Sequence, residues 1–320
     1  MASSITFQNA YKMPIIGLGT WQAQNEKEIE IALDAALEAG YKHIDTAYLY
    51  NNERVIGKVL KKWFASRKIK RKDLFIVTKL PQIGMTPEKV PHFVKKSLES
   101  LQLTYIDLYL IHAPVGFQYV DDETLFPMKD GKTVLDYSTD LTAIWKSLEE
   151  EVDAGRIRSL GISNFNESQV ERICCMARHK PMNHQVEIHA YFQNKNLRKV
   201  CEKFDITVCA FAPFGSPGLN EFLKARGRSD FKTPQILEDP IVVKIGKKYG
   251  KSSAQVLLRF LIQQGIAVIP KSTSPERILK NIQIFDFELS LEEMNELAGL
   301  DQGDKGRIFS FIFEGYLFIP

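Results

Sequence analysis

Four cysteines, Cys174, Cys175, Cys201 and Cys209, are all that the 320 residues hold, and their order follows no metal-ligand spacing. Adjacent Cys174 and Cys175 make a poor disulfide pair, so buried free thiols in a reducing compartment are expected, and no metal site. Long apolar runs are missing too. The longest uncharged stretch, residues 206–220, has 15 residues and is broken by Pro213, Gly215, Pro217 and Gly218. It is too short and too interrupted to span a bilayer. The opening MASSITFQNAYK lacks the basic-then-apolar layout of a signal peptide, so a cytoplasmic location is expected. Charge of one sign is scarce: 42 basic residues face 39 acidic ones, a net of +3. So small a bias argues against nucleic-acid or anionic-membrane partners. Finally, GLGTWQ (17–22) carries two glycines of a dinucleotide fingerprint and lacks the third, which argues against a doubly wound nucleotide domain.

What is present is a regular alternation. Short runs of Ile, Val, Leu and aromatics close near Gly19, Asp45, Lys79, His112, Ser163-Asn164, Glu187, Phe211 and Lys271. Such runs read as strands buried on both faces. Amphipathic helical patterns lie between them. Asn25 and Glu28 make a capping-box-like start, Ile29, Ala32, Leu33, Ala36 and Leu37 form one face, and Gly40 ends the helix. Ser274-Pro275 opens another in cap-then-proline order. Eight strand–helix units predict a parallel sheet closed as a (β/α)8 barrel, one domain over residues 1–320. Residues 1–14 read as a hairpin under the barrel. Strand ends are spaced 34, 33, 24 and 24 residues apart at four steps, but 51 from His112 to Ser163 and 59 from Phe211 to Pro270. The excess is assigned to loops 113–139 and 212–238, on the face where such barrels keep their sites. The tail, 303–320, carries Phe309, Phe311, Phe313, Tyr316 and Phe318 and is expected to cover an apolar cleft there.

Asp45, Lys79 and His112 each close a successive strand, and Tyr50 follows Asp45 on the next loop. Singly, each has an ordinary explanation: a helix cap, a snorkelling lysine, a packed histidine, a half-buried tyrosine. Together they form a constellation at one rim. A lysine ending an apolar strand needs a counter-charge, since an unpaired buried charge costs roughly 3–5 kcal/mol, and Asp45 supplies it. An ammonium beside a phenol is expected to lower the phenol's pKa from ~10, making Tyr50 a general acid for a carbonyl oxygen.

The stretches MPIIGLGTW, GYKHIDTAYLYNNE, LFIVTK, DLYLIHAP, GISNFN, HQVEIH, FAPFGSPG and IPKSTSPERILKN, in this order, resemble the aldo-keto reductases over essentially the whole chain. The resemblance implies a (β/α)8 barrel, often monomeric, that reduces small-molecule carbonyls with NADPH. Asp45, Tyr50, Lys79 and His112 would be the catalytic tetrad, with Tyr50 the acid. Ser163, Asn164 and Gln185 would hold the nicotinamide carboxamide, Phe211 would stack on the ring, and Thr20 would lie near it. Gly19, Trp21, Asp45, Ala212, Pro213, Gly215, Ser216, Thr273 and Asn281 complete the implied cofactor contacts. From the residues themselves, Lys271, Ser272, Ser274 and Arg277 at a helix start suit a doubly charged phosphate, the 2′-phosphate of NADPH. Lys280 departs from the acidic residue of some relatives. Trp21, Leu49, Tyr50, His112, Ala113 and Phe126 would line the substrate pocket. Ala113 stands where many relatives carry tryptophan, which opens room for bulky, steroid-like or aromatic ketones. A cofactor-binding scaffold and a bulk structural protein are the alternative roles.

Overall fold

The barrel strands are short and apolar: β1 (Leu18–Gly19), β2 (His43–Asp45), β3 (Phe75–Leu80), β4 (Leu108–Ile111), β5 (Leu160–Ser163), β6 (Asn183–Glu187), β7 (Thr207–Phe211) and β8 (Ala267–Val268). The structure, a computed structural model, describes residues 3–23, 25–224 and 232–309. The eight strands hydrogen-bond in parallel in chain order, with Asp45 opposite Val77, Lys79 opposite Leu110 and Gln185 opposite both Ser163 and Cys209. Closure runs through β8 and the first strand: Gly17 N donates to Val268 O at 2.8 Å and Val268 N to Ile15 O at 2.8 Å. The expected (β/α)8 barrel is therefore the fold.

Helices α1 (Glu26–Glu38), α2 (Glu53–Ala65), α3 (Val90–Leu101), α4 (Leu141–Asp153), α5 (Glu167–Met176) and α6 (Lys195–Lys203) follow the first six strands. After β7 come α7 (Leu219–Lys224), α8 (Pro240–Tyr249) and α9 (Ser253–Ile262); after β8, α10 (Pro275–Ile282) and α11 (Leu291–Ala298). Local chemistry sets their ends. Asn25 Oδ1 accepts Glu28 N at 3.1 Å, the five apolar residues expected on the face of α1 are all buried, and Gly40 leaves with φ 93°. Burying each of the larger side chains stabilises by about 1.5–3 kcal/mol. Gly57 lets α2 lie against α3: a Cβ there would stand 2.2 Å from Ser100 O.

Strands of residues 4–6 and 12–14 pair antiparallel into the N-terminal hairpin. Loop 113–139 contains a second small ladder, Met128–Lys129 against Lys132–Thr133. The excess after β7 divides differently from expectation. Helix α8, starting at Asp239-Pro240, lies outside the one-helix-per-strand pattern, so the extra length is not all loop 212–238. Residues 225–231 and the tail beyond Phe309 lie outside the described residues. The cysteines are free, and Cys175, unlike the other three, is exposed on α5, contrary to the expectation of buried thiols throughout. Among the described residues no helix is long and apolar enough to cross a membrane, and no group of three or more His, Cys, Asp and Glu suits a metal ion.

Candidate active site

Parallel pairing brings Asp45 and Lys79 side by side, and both are buried. Lys79 Nζ donates to Asp45 Oδ1 at 2.7 Å, to Thr46 O at 2.8 Å and to the Tyr50 hydroxyl at 3.3 Å. All three ammonium hydrogens thus have acceptors. Tyr50 reaches them because residues 48–50 form a 3-10 turn closed by Asn51, whose left-handed φ of 55° suits an asparagine. Asn52 fixes that turn: its amide oxygen accepts Thr46 Oγ1 at 2.7 Å and its nitrogen donates to Thr20 O at 3.0 Å. His112, one residue past β4, meets Tyr50 edge-on at 5.6 Å between ring centroids. Asn164 Nδ2 holds the His112 carbonyl at 2.9 Å. The four residues expected at one rim do converge.

The electrostatics follow from burial. Desolvation works against the Lys79 ammonium, but Asp45 and Tyr50 override it and the pKa lies above the ordinary lysine value. Burial, seconded by the Lys79 charge, drives the His112 imidazole well below its ordinary range, so the ring is neutral near pH 7. Tyr50 corrects the sequence-based expectation. Burial raises the phenol above its ordinary value; Lys79 pulls it down through charge and hydrogen bond, but does not prevail. The phenol is therefore fully protonated at neutral pH, and Lys79 moderates a rise it does not reverse.

Gln185 contributes a contact that chain order hides. Its amide nitrogen donates to Asp45 Oδ2 at 2.6 Å across the barrel, so both carboxylate oxygens are engaged. Ser163 Oγ donates to Gln185 O at 2.8 Å, and Asn164 Nδ2 donates to Ser163 Oγ at 3.2 Å. Thr20 is pinned to the Asp45 carbonyl by its amide and its hydroxyl, 3.1 and 2.9 Å. Ser163, Asn164, Gln185 and Thr20 therefore surround the Asp45–Lys79 pair. Beyond β7, Ala212, Gly215 and Ser216 all take left-handed φ, 51°, 69° and 48°, two of them non-glycine residues held in a conformation that costs of order 1–3 kcal/mol. Pro213 lies between them.

Lys271 pairs with Gly19 through a parallel bridge at the barrel seam, which sets it at the same rim. Partial desolvation depresses its ammonium below the ordinary range, Glu28 opposing and Arg277 assisting. Among the described residues neither Lys271 nor Arg277 has a carboxylate ion-pair partner. Ser274 caps α10, accepting Arg277 N at 3.4 Å, and Ser272 Oγ accepts Ser274 N at 3.2 Å, with Thr273 between them. Two unneutralised cations beside a helix start fit an anion, as the sequence suggested. Asn281 is buried one helical turn further on, and Lys280 is tied to Glu276 at 2.7 Å.

Of the substrate-side residues, Ala113 is buried next to His112 and Leu49 is half-buried next to Tyr50. Trp21, Phe211 and Phe309 form an edge-on cluster: Phe309 lies 5.5 Å from Trp21 and 5.6 Å from Phe211. Phe126 is 53% exposed, its ring 5.9 Å from Phe117. Phe311, Phe313, Tyr316 and Phe318 lie outside the described residues. Sequence reading missed three buried polar groups: Gln185 as a partner of Asp45, Glu53 behind the site, and Glu187. Glu53 opens α2, accepts Thr78 Oγ1 at 2.6 Å, and is pushed by burial up to about 7. The only signal for it was Asn51-Asn52-Glu53 directly after Tyr50.

Comparison with known proteins gives the family. The model of the aldo/keto reductase family matches residues 15–302. Aldo-keto reductase family 1 member A1 of Cricetulus griseus is 40% identical over 303 residues, 94% of this chain and 90% of its own length. Dihydrodiol dehydrogenase 3 of Bos taurus is 39% identical over 93% of this chain and 91% of its own length. The solved structure of the aldose reductase from Schistosoma japonicum superposes with a TM-score of 0.89 at 38% identity, over 100% of this chain and 98% of that one. The chain belongs to the aldo/keto reductase family and is an oxidoreductase of carbonyl chemistry.

Proposed function

We propose that the protein reduces aldehydes and ketones to alcohols with NADPH, Tyr50 protonating the carbonyl oxygen. The observation that carries this is the 3.3 Å contact between the Tyr50 hydroxyl and a lysine ammonium whose other two hydrogens are held by Asp45 and Thr46. When bound, the nicotinamide supplies the hydride. Tyr50 holds the proton at its hydroxyl, in reach of an oxygen at the mouth, and Lys79 stabilises the phenolate left behind. Asp45 keeps Lys79 charged, and Gln185 keeps Asp45 oriented. His112, neutral, offers its ring N–H to the same oxygen and steers it without adding charge.

Lys271, Ser272 and Arg277 would hold the 2′-phosphate, their unpaired positive charge being the fit. Ser163, Asn164, Gln185, Thr20 and Phe211 would hold the nicotinamide, and Asn281 would lie near the adenine. Trp21, Leu49 and Phe309 would bound an apolar mouth, and behind them the small, buried Ala113 side chain beside His112 would favour bulky ketones alongside small aldehydes. The test is a panel of aldehydes and ketones assayed by NADPH oxidation. Turnover of several carbonyls is expected; tight NADPH binding with no turnover of any would overturn the reading.

A further inference from the structure

The segment after α11 has a seat built by groups outside the reaction site. From Asp301 to Phe309 the chain runs along residues 189–193. Gln193 N donates to Asp301 Oδ1 at 3.2 Å, Gln302 N donates to Tyr191 O at 2.9 Å, and the Arg307 guanidinium lies 4.4 Å over the Phe192 ring. Gly306 passes so close that a Cβ would stand 2.0 Å from Tyr191 O. The run ends on Glu187, at the close of β6. Ile308 N donates to its Oε1 at 2.8 Å, Phe309 N to its Oε2 at 2.9 Å, and His189 Nε2 donates to Oε1 at 2.9 Å.

The Glu187 and His189 side chains are 4% and 0% exposed. A carboxylate is costly to bury unless hydrogen bonds replace its water, and here two of its three partners are backbone amides more than 100 residues away in sequence. Those amides have no strand or helix to satisfy them, so the carboxylate and the segment solve each other's desolvation. The residue so fixed, Phe309, lies edge-on to both Trp21 and Phe211.

We propose that Glu187, oriented by His189, is a positioning residue that fixes Phe309 as a rigid wall of the substrate mouth, and that this wall selects carbonyls bearing a flat apolar ring. The selectivity rests on the proposed function; the anchoring does not. In Glu187→Gln one acceptor oxygen becomes an amide donor facing a backbone N–H, so the two amides cannot both be satisfied. Hydrogen exchange of the Ile308 and Phe309 amides is expected to quicken by about tenfold or more as the segment opens locally. KM for a flat aromatic ketone should rise about fivefold, the loss of one aromatic contact, while kcat for a small aliphatic aldehyde stays unchanged. Phe309→Ala should give the same KM rise, and Glu187→Gln should add nothing to it in the double variant.

Gly306→Ala moves the segment without touching the buried carboxylate and should reproduce the selectivity change if Glu187→Gln does not fold. Unchanged amide protection in Glu187→Gln would overturn the anchor. Faster exchange with an unchanged KM ratio would overturn the link to selectivity. Wild-type protein that turns over no carbonyl would fail the proposed function, a separate result, because the exchange measurement needs no substrate.

Discussion

Replacing Glu53 with glutamine should stabilise the protein at pH 8 and leave it unchanged at pH 4. Glu53 is buried at the start of α2, and its carboxyl is raised from 4.5 to about 7 by burial, with Thr78, Ser97 and Lys79 opposing. The unfolded chain therefore ionises this group at lower pH than the folded chain does. Stability from the protonated form is complete below pH 4.5 and is lost as pH rises to about 7. At ~1.4 kcal/mol per pH unit the loss amounts to about 3 kcal/mol by pH 8. Glutamine keeps the oxygen that accepts Thr78 Oγ1 and never ionises. Urea unfolding followed by circular dichroism, from pH 4 to pH 8, measures the difference directly. The wild-type and variant curves should separate between pH 5 and pH 7. A constant offset across that range, or a variant less stable at pH 8, would refute the reasoning.

Lys271→Ala should weaken NADPH binding roughly 10–100-fold, the loss of a charge-assisted phosphate contact, with little effect on NADH, as read by fluorescence titration. Equal losses for both cofactors would contradict the 2′-phosphate assignment. Asp45→Asn should destabilise the fold by about 3–5 kcal/mol, because Lys79 keeps a buried charge without its partner; urea unfolding reads this. Ala113→Trp should depress kcat/KM for a bulky ketone much more than for a small aldehyde, and an unchanged preference would count against the open pocket.

The barrel and three of the four convergent residues were legible because period and position coincide. Asp45, Lys79 and His112 end apolar runs, and parallel pairing places neighbouring strand ends at one rim. Tyr50 was legible by spacing alone; the 3-10 turn, the left-handed Asn51 and the Asn52 brace that deliver it were not. Burial strength was invisible as well. From sequence, Lys79 beside Tyr50 argued for a lowered phenol, but the desolvation that wins arises only when the folded barrel buries the phenol. The resemblance implied a nicotinamide contact for Gln185 and the spacing made Glu187 a strand end, but their buried partners, Asp45 and the Ile308 and Phe309 amides, were hidden because they are 140, 121 and 122 residues away. Helix α8 escaped because an extra helix and a long loop lengthen a strand-to-strand interval alike.

The most direct test of the chemistry is Tyr50→Phe, assayed for turnover of a small aldehyde and for NADPH binding in the same preparation. Removing the proton donor should lower kcat by about 10²–10⁴-fold while NADPH affinity stays the same. A variant that turns over at the wild-type rate would show that some other group delivers the proton, and the assignment of Tyr50 would be wrong.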